Sequence, residues 1–384
     1  MNKIYWCKNC LNMSTRNRIT FDDRGWCNAC QWSEEKQTLD WNMRGNELRD
    51  KLKEIKKKSK GFDCIVPVSG GKDGSYVSHK LKNDFGVNPL CITVRPALST
   101  QIGDQNLLNF INSGYNHIHI TPNPKVLDRL NKYGFTEMGF PYYGWLIAIM
   151  SAVIRAAVNF QIPLIFYGED GEVEYGGSSE SKDTPFYSIN YMKKIYFEGG
   201  YEKVLNRLKK DKDITDEDLY FFIFPEPEAV KKLKLSFTHW SYFENWDPYR
   251  NYIVAKENCG LLEKDQGNDD TFTNFSQNDQ LLYSLHTYLM YLKYGFGRAT
   301  QDVGIEIRRG AMTREQGINL VKMYDNAYPK KYIGEYLDYY DMTIKEFDSV
   351  LDRYANKNLF EKINGIWKPK FKTGETFYYE NRDS

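Results

Sequence analysis

The feature that most constrains this chain is the turn Ser69-Gly70-Gly71-Lys72-Asp73-Gly74-Ser75, set between a short apolar run, Phe62 to Val68, and a helical stretch, Gly74 to Asp84. Glycines let the main chain approach an anion closely, and a helix N-terminus adds unpaired N–H groups and the positive end of its dipole. A strand, such a turn and a helix in succession specify an α/β unit with a phosphate site at the carboxyl edge of its sheet. The spacing G-x-x-x-x-G-K-[ST] is absent, which excludes the phosphate loop of ordinary kinases and GTPases.

The alternation continues downstream. Pro89 to Val94 reads as a second strand, helical spacing runs to Ile111, and His117 to Ile120 is a third strand. Val126 to Tyr133 and Tyr142 to Phe160 read as helices, and Pro163 to Tyr167 as the last strand. Strands alternating with helices predict a parallel, doubly wound sheet covered on both faces. Beyond Gly171 the pattern loosens into an aromatic, loop-rich stretch. Residues 276 to 360 are mainly helical, with capping boxes at Thr313-x-x-Gln316 and Thr343-x-x-Glu346.

Four of the seven cysteines fall in the first thirty residues, as Cys7-x-x-Cys10, sixteen intervening residues and Cys27-x-x-Cys30. Each pair forms a knuckle that presents two thiolates, and the spacer lets the knuckles meet around one ion. Structural zinc is the expected occupant, with an iron–sulfur cluster or redox pairs as alternatives. Cys64, Cys91 and Cys259 are isolated and are expected to be buried inert thiols. Between the knuckles and the turn, Leu48, Leu52 and Ile55 recur at helical spacing on a charged segment that ends at Lys60-Gly61.

The formal net charge of +1 excludes a field that would gather nucleic acid or anionic lipid non-specifically. Residues 1 to 60 carry an excess of +6, which metal-bound thiolates would reduce. The N-terminus is polar and lacks an apolar signal core, and the longest apolar stretch, Trp145 to Phe160, is shorter than the ~20 residues a bilayer requires. A cytoplasmic protein is expected, with neither membrane nor nucleic acid as partner.

Ser69 to Asp73 resembles the SGGxDS fingerprint of the PP-loop ATP pyrophosphatases, with Gly74 in place of the usual serine and Ser75 following it. The resemblance implies that Ser69, Gly70, Gly71, Asp73 and Ser75 grip the β- and γ-phosphates, that Asp73 helps hold magnesium, and that Thr93 borders the adenosine. Lys72 and Gly74 belong to the same ATP-binding loop, with Gly168 at the facing strand end, and Lys72 and Asp73 are catalytic candidates. Gly168-Glu169-Asp170 ends the last expected strand at the same edge, so Glu169 is a catalytic candidate and Asp170 a second magnesium contact. The implied organisation is a zinc module (1–35), a linker helix (36–60), the ATP pyrophosphatase domain (61–175) and an aromatic-rich, helical substrate or partner region (176–384).

The whole chain is similar to the bacterial N-acetyl-sugar amidotransferases of surface-glycan biosynthesis, including the pseudaminic acid type. The residues carrying this are the double CxxC, Ser69 to Tyr76, Gly168 to Asp170, Glu174-Tyr175-Gly176-Gly177 and Tyr294 to Asp302. It implies ATP-dependent conversion of an acetamido to an acetamidino group, on a free sugar or a sugar nucleotide, with ammonia from a separate glutaminase and channelling pair. No glutaminase motif is present in the chain itself. A tRNA-modifying PP-loop enzyme is the competing reading, and it shares both the knuckle and the loop.

Arg298 and Asp302 are four apart, which places them on one helix face, with Arg298 expected on phosphate and Asp302 on substrate or ammonia. An ordinary surface ion pair would have the same spacing. Arg308, with Arg309, is expected to clamp an acidic group, and Glu174 and Tyr175 to face the sugar. Trp240, Trp246 and Tyr249 are candidates for stacking on a pyranose, and His239 is expected to be structural.

Overall fold

The computed structural model describes residues 2–59, 61–197 and 200–380; the expected helix end at Lys60 lies outside them. In chain order its elements begin with β1 (Asn2–Ile4), α1 (Asn28–Glu35), α2 (Trp41–Lys58), β2 (Cys64–Pro67), α3 (Lys72–Asn83), β3 (Pro89–Val94), α4 (Gln101–Asn112) and β4 (His117–Ile120). They continue through α5 (Pro124–Met138), α6 (Tyr143–Asn159), β5 (Leu164–Tyr167), α7 (Gly171–Tyr175), α8 (Ile189–Phe197), α9 (Tyr201–Leu208), α10 (Pro227–Leu233) and β6 (Ser236–His239). The C-terminal part adds α11 (Pro248–Cys259), α12 (Leu282–Tyr294), α13 (Arg298–Arg308), α14 (Arg314–Tyr324), α15 (Ile333–Tyr340), α16 (Ile344–Tyr354), β7 (Phe360–Ile363), β8 (Ile366–Pro369) and β9 (Phe377–Tyr379).

The central sheet is five-stranded and wholly parallel, in the order β4-β3-β2-β5-β6. Period-two alternation divides each central strand between two cores. Ile65, Ile92 and Ile165 face one core with α5 and α6, whereas Val66, Cys91 and Phe166 face the other with α2, α3 and α4. Burial on both faces makes these strands read as continuous apolar runs. The chain winds from β2 outward to β4 and then returns to β5 on the opposite side of β2. That reversal opens a crevice at the carboxyl ends of β2 and β5, where ligands bind such sheets.

The expected α/β class and parallel doubly wound sheet are therefore present. The sheet does not end at Tyr167, however. It takes β6 from the region expected to lie outside it, paired with β5 from Leu164↔Ser236 to Tyr167↔His239. The helix between the knuckles and the sheet is no free linker either, since Leu48, Leu52 and Ile55 pack into the same core as Val66 and Leu81.

A third core joins α12 to α16 with Ile4, Trp6, Leu11 and Met13 from the N-terminal segment, and β1 pairs antiparallel with β9. Both capping boxes form as the sequence specifies. No helix among the described residues is long and apolar enough to cross a membrane.

Candidate active site and metal centre

The turn after β2 is shaped by what its glycines touch. Gly70 has φ +80°, and a Cβ on it would lie 2.4 Å from the Leu107 nitrogen of α4. Gly74 sits where a Cβ would meet the Pro67 carbonyl at 2.9 Å, so the serine expected there has no room. Helix α3 begins at Lys72 with Gly71 as N-cap and no side-chain cap, leaving its first N–H groups free for an anion.

Two cavities meet at this turn. One, of about 260 Å³, is walled by Ile92, Val94, Trp145, Ile149, Val153 and Tyr167, with Arg95, Asp104 and His119 among its polar lining. The other, of about 230 Å³, is mostly polar and includes Lys72, Glu169, Tyr175 and Arg298, with Asn106 and the segment 275–279. Ser69, Gly71 and Asp73 line both. The apolar cavity suits a nucleobase and ribose, and the polar one suits a phosphate chain and an acceptor.

Asp73 stands at the junction. One carboxylate oxygen accepts from Lys72, and the other, Oδ1, is buried with no hydrogen-bond partner among the described residues, the Asn251 amide lying alongside without reaching bonding geometry. Burial pushes the Asp73 carboxyl above the usual carboxylate range, Lys72 opposes this, and Glu169 adds to it. A buried, unpartnered oxygen close to a second acid is a site that a cation would complete. Gly168 permits this crowding, because a Cβ there would lie 3.1 Å from the Asp73 Cβ and 3.0 Å from the Trp246 ring.

Several expected roles need correction. Thr93 lines the apolar cavity, but its hydroxyl is used by the Val68 carbonyl at 2.7 Å and by His117 at 2.8 Å, so only its remaining surface can meet a ligand. Ser75 is fully buried on the inner face of α3 near Cys259 and lines neither cavity. Asp170 turns away from the crevice and caps α7, accepting from the Glu172 nitrogen at 3.1 Å and from the Ser181 hydroxyl. Its neighbour Glu169 faces the polar cavity instead. Asp170 is a buried cap and a poor candidate for magnesium.

Arg298 faces the polar cavity at the start of α13. Asp302 does not reach a ligand through a free oxygen: Oδ1 holds Arg298 at 2.8 Å, and Oδ2 accepts from Thr271 at 2.6 Å and Thr273 at 3.2 Å. Burial works against the Arg298 charge, but Asp302, Tyr175 and Asp270 together outweigh it and hold the guanidinium firmly protonated. The pair is thus a cation fixed in place, unlike a surface ion pair.

The N-terminus of α13 is capped from another element. Asp325 accepts from the Gly297 nitrogen at 2.9 Å and from the Thr300 nitrogen at 3.1 Å. Burial pushes this carboxyl up to about 6, against those hydrogen bonds. Sequence spacing gave no sign of this contact, nor of Asn106, the 275–279 segment or Asp279, which lines both cavities.

Glu174 does not face the cavity freely. Trp32 Nε1 and Lys36 Nζ each donate to it at 2.8 Å, tying α7 to the N-terminal module. Tyr175 lines the polar cavity and donates to Glu169 at 2.9 Å. Arg308 lies against the cysteine cluster and donates to the Glu174 carbonyl at 3.2 Å, so it is no free clamp. Arg309 is paired with Glu306 and stacks over Tyr249. Trp240 is a core residue bonded to Glu244, and His239 is buried beside Tyr187, as a structural histidine should be.

The four N-terminal cysteines converge. Their sulfurs all lie within 4.8 Å of one another, with approaches of 3.7 Å for Cys7–Cys30 and 3.5 Å for Cys10–Cys27. Four thiolates at about 2.3 Å from a tetrahedral ion would be about 3.8 Å apart, so the donor set fits one ion.

Residues 269–373 match a family model. It is described as LPS biosynthesis protein WbpG-like, C-terminal domain, and the matched stretch contains the 275–279 segment, Arg298, Asp302 and Asp325. A curated relative, an uncharacterized protein of Methanocaldococcus jannaschii, is 29% identical over 104 residues. That alignment covers 27% of this chain and only 37% of the relative. Among solved structures, an NH3-dependent NAD synthetase from Campylobacter jejuni, in complex with nitrate, has a TM-score of 0.29 and 16% identity, covering 51% of this chain and 93% of that one. A U34-tRNA thiolase from Methanococcus maripaludis, with a 4Fe-4S cluster, has a TM-score of 0.32 and 10% identity, covering 70% and 79%. At these scores neither likeness bears on the chemistry.

Proposed function

We propose that this protein is an ATP-dependent amidotransferase that converts the acetamido group of an N-acetyl sugar into an acetamidino group, with release of AMP and pyrophosphate, in surface-glycan biosynthesis. The observation that carries this reading is the meeting of an apolar and a polar cavity at Ser69, Gly71 and Asp73. A nucleotide lying across that junction has its base in the first cavity and its phosphates on the N-terminus of α3. The WbpG-like match over residues 269–373 supports a glycan acceptor, since the same stretch supplies one wall of the polar cavity.

The chemistry follows from the residues. The amide oxygen of the acceptor attacks the α-phosphorus, and the α–β bond breaks toward pyrophosphate. Lys72, Arg298 and the free N–H groups of α3 stabilise the charge that develops on the leaving group. Magnesium held by Asp73 and Glu169 would neutralise further phosphate charge. Ammonia then adds to the activated carbon, and AMP departs with the original amide oxygen. No protein nucleophile is required. Asp302 and Asp325 serve by fixing Arg298 and the helix that bears it.

Zinc is the ion proposed for the four cysteines, because thiolate softness and closed four-coordination suit it. The ammonia is proposed to come from a separate glutaminase, and the compartment is proposed to be the cytoplasm. The test is a screen of acetamido sugars, free and nucleotide-linked, with ATP, magnesium and ammonium while pyrophosphate is measured. Release that depends on both an acetamido sugar and ammonium is expected. Release that needs tRNA, and no sugar, would replace this reading with the tRNA-modifying one.

A further inference from the structure

We infer that Asn12 of the cysteine module is a positioning residue for the catalytic cavity, transmitting the geometry of the metal centre to Glu169 through Tyr175. The inference rests on the proposal that Glu169 contacts the nucleotide-bound cation. The Asn12 side-chain nitrogen has two protons and two partners: it donates to Cys27 Sγ at 3.4 Å and to the Tyr175 carbonyl at 3.0 Å. Tyr175 in turn donates its hydroxyl to Glu169 at 2.9 Å. One amide thus joins a metal-ligating sulfur to a residue that lines the polar cavity, 163 positions along the chain.

The surrounding contacts make this a clamp. Helix α7 is only five residues long and gains little stability alone. The N-terminal module grips it at Glu174 through Trp32 and Lys36, at Glu172 through a forked Arg18 contact, and at Gly177 through Asn28 at 2.5 Å. Gly176, at φ +89°, lets Asn12 approach, since a Cβ there would lie 2.8 Å from its nitrogen. Arg308, beside the Cys10 sulfur, holds the Glu174 carbonyl. The carbonyls at the end of α7 are therefore satisfied by groups that also touch the sulfurs. A cluster missing its ion loses the bonds that fix Cys27, and Asn12 would move with Cys27.

The test reads cation affinity, so it needs no acceptor. Mn2+ is titrated into the zinc-loaded protein saturated with a non-hydrolysable α,β-methylene ATP analogue, for wild type, Asn12→Ala, Tyr175→Phe and the double variant. Loss of a group that orients a metal ligand typically costs 10- to 100-fold in affinity. Each single variant is expected to weaken Mn2+ by about tenfold, and the double variant no further than Tyr175→Phe alone, with metal-free affinity for the analogue unchanged. Losses that multiply to about 100-fold, or an unaltered Asn12→Ala, would overturn the inference. An unaltered Tyr175→Phe would instead remove the assignment of Glu169, and the inference with it. Should Asn12→Ala shed the N-terminal metal, Asn12→Ser replaces it with the same expectations, since a single hydroxyl proton cannot serve both Cys27 and the Tyr175 carbonyl.

Discussion

The cysteine knuckles and the phosphate turn are both short loops of unusual residues, and they differ in what they leave unsatisfied. In the knuckles, four buried sulfurs face one another and receive N–H donors from Asn9, Cys10, Cys27 and Asn12, so one ion closes the site. In the turn, the first N–H groups of α3 have no side-chain cap and Asp73 Oδ1 has no hydrogen-bond partner among the described residues. A closed site stabilises a fold, whereas an open one awaits a ligand.

Three substitutions can break or sharpen that contrast. The largest effect is expected from Asp73→Ala, which should lower pyrophosphate release by about 10³-fold while the melting temperature falls little or rises, because it removes a half-buried carboxyl with an unsatisfied buried oxygen. A matching loss of stability would place Asp73 among the structural residues. Cys27→Ser should act in the opposite sense: metal analysis should show less than one ion per chain, and thermal unfolding should begin several degrees earlier, before any defect in nucleotide binding appears. The smallest effect is expected from Gly74→Ser, which restores the fingerprint serine. Overpacking against Pro67 should cost about 1–3 kcal/mol in urea unfolding, with no gain in rate. A faster enzyme would show that the missing hydroxyl mattered to the chemistry.

Much of the sheet was legible because β2, β3 and β5 are short apolar runs buried on both faces; β3 begins and ends where its apolar run does, and β4 spans the expected His117–Ile120 although His119 is exposed at the sheet edge. Strand β6 was not, because Ser236-Phe237-Thr238-His239 is mostly polar and owes its burial to pairing with β5. The phosphate turn was legible because its glycines and helix start are local. The opposite fates of Glu169 and Asp170 were partly legible, since an aspartate directly before a helix favours its cap. The Asp325 cap on α13 and the hold of Asn12 on Tyr175 join residues remote in sequence, and periodicity carries no trace of such contacts. Ser75 was misplaced because the helix begins at Lys72, two residues earlier than expected, which turns Ser75 inward.

The central claim is that the turn after β2 holds a triphosphate for cleavage between its α- and β-phosphorus atoms. The direct measurement is 31P NMR of ATP turnover by the intact protein with magnesium, ammonium and the acetamido sugars of the screen. AMP and pyrophosphate should grow in equal amounts, and Asp73→Ala should slow both by about 10³-fold. ADP and inorganic phosphate as the products, or AMP formation at an undiminished rate in Asp73→Ala, would contradict the account.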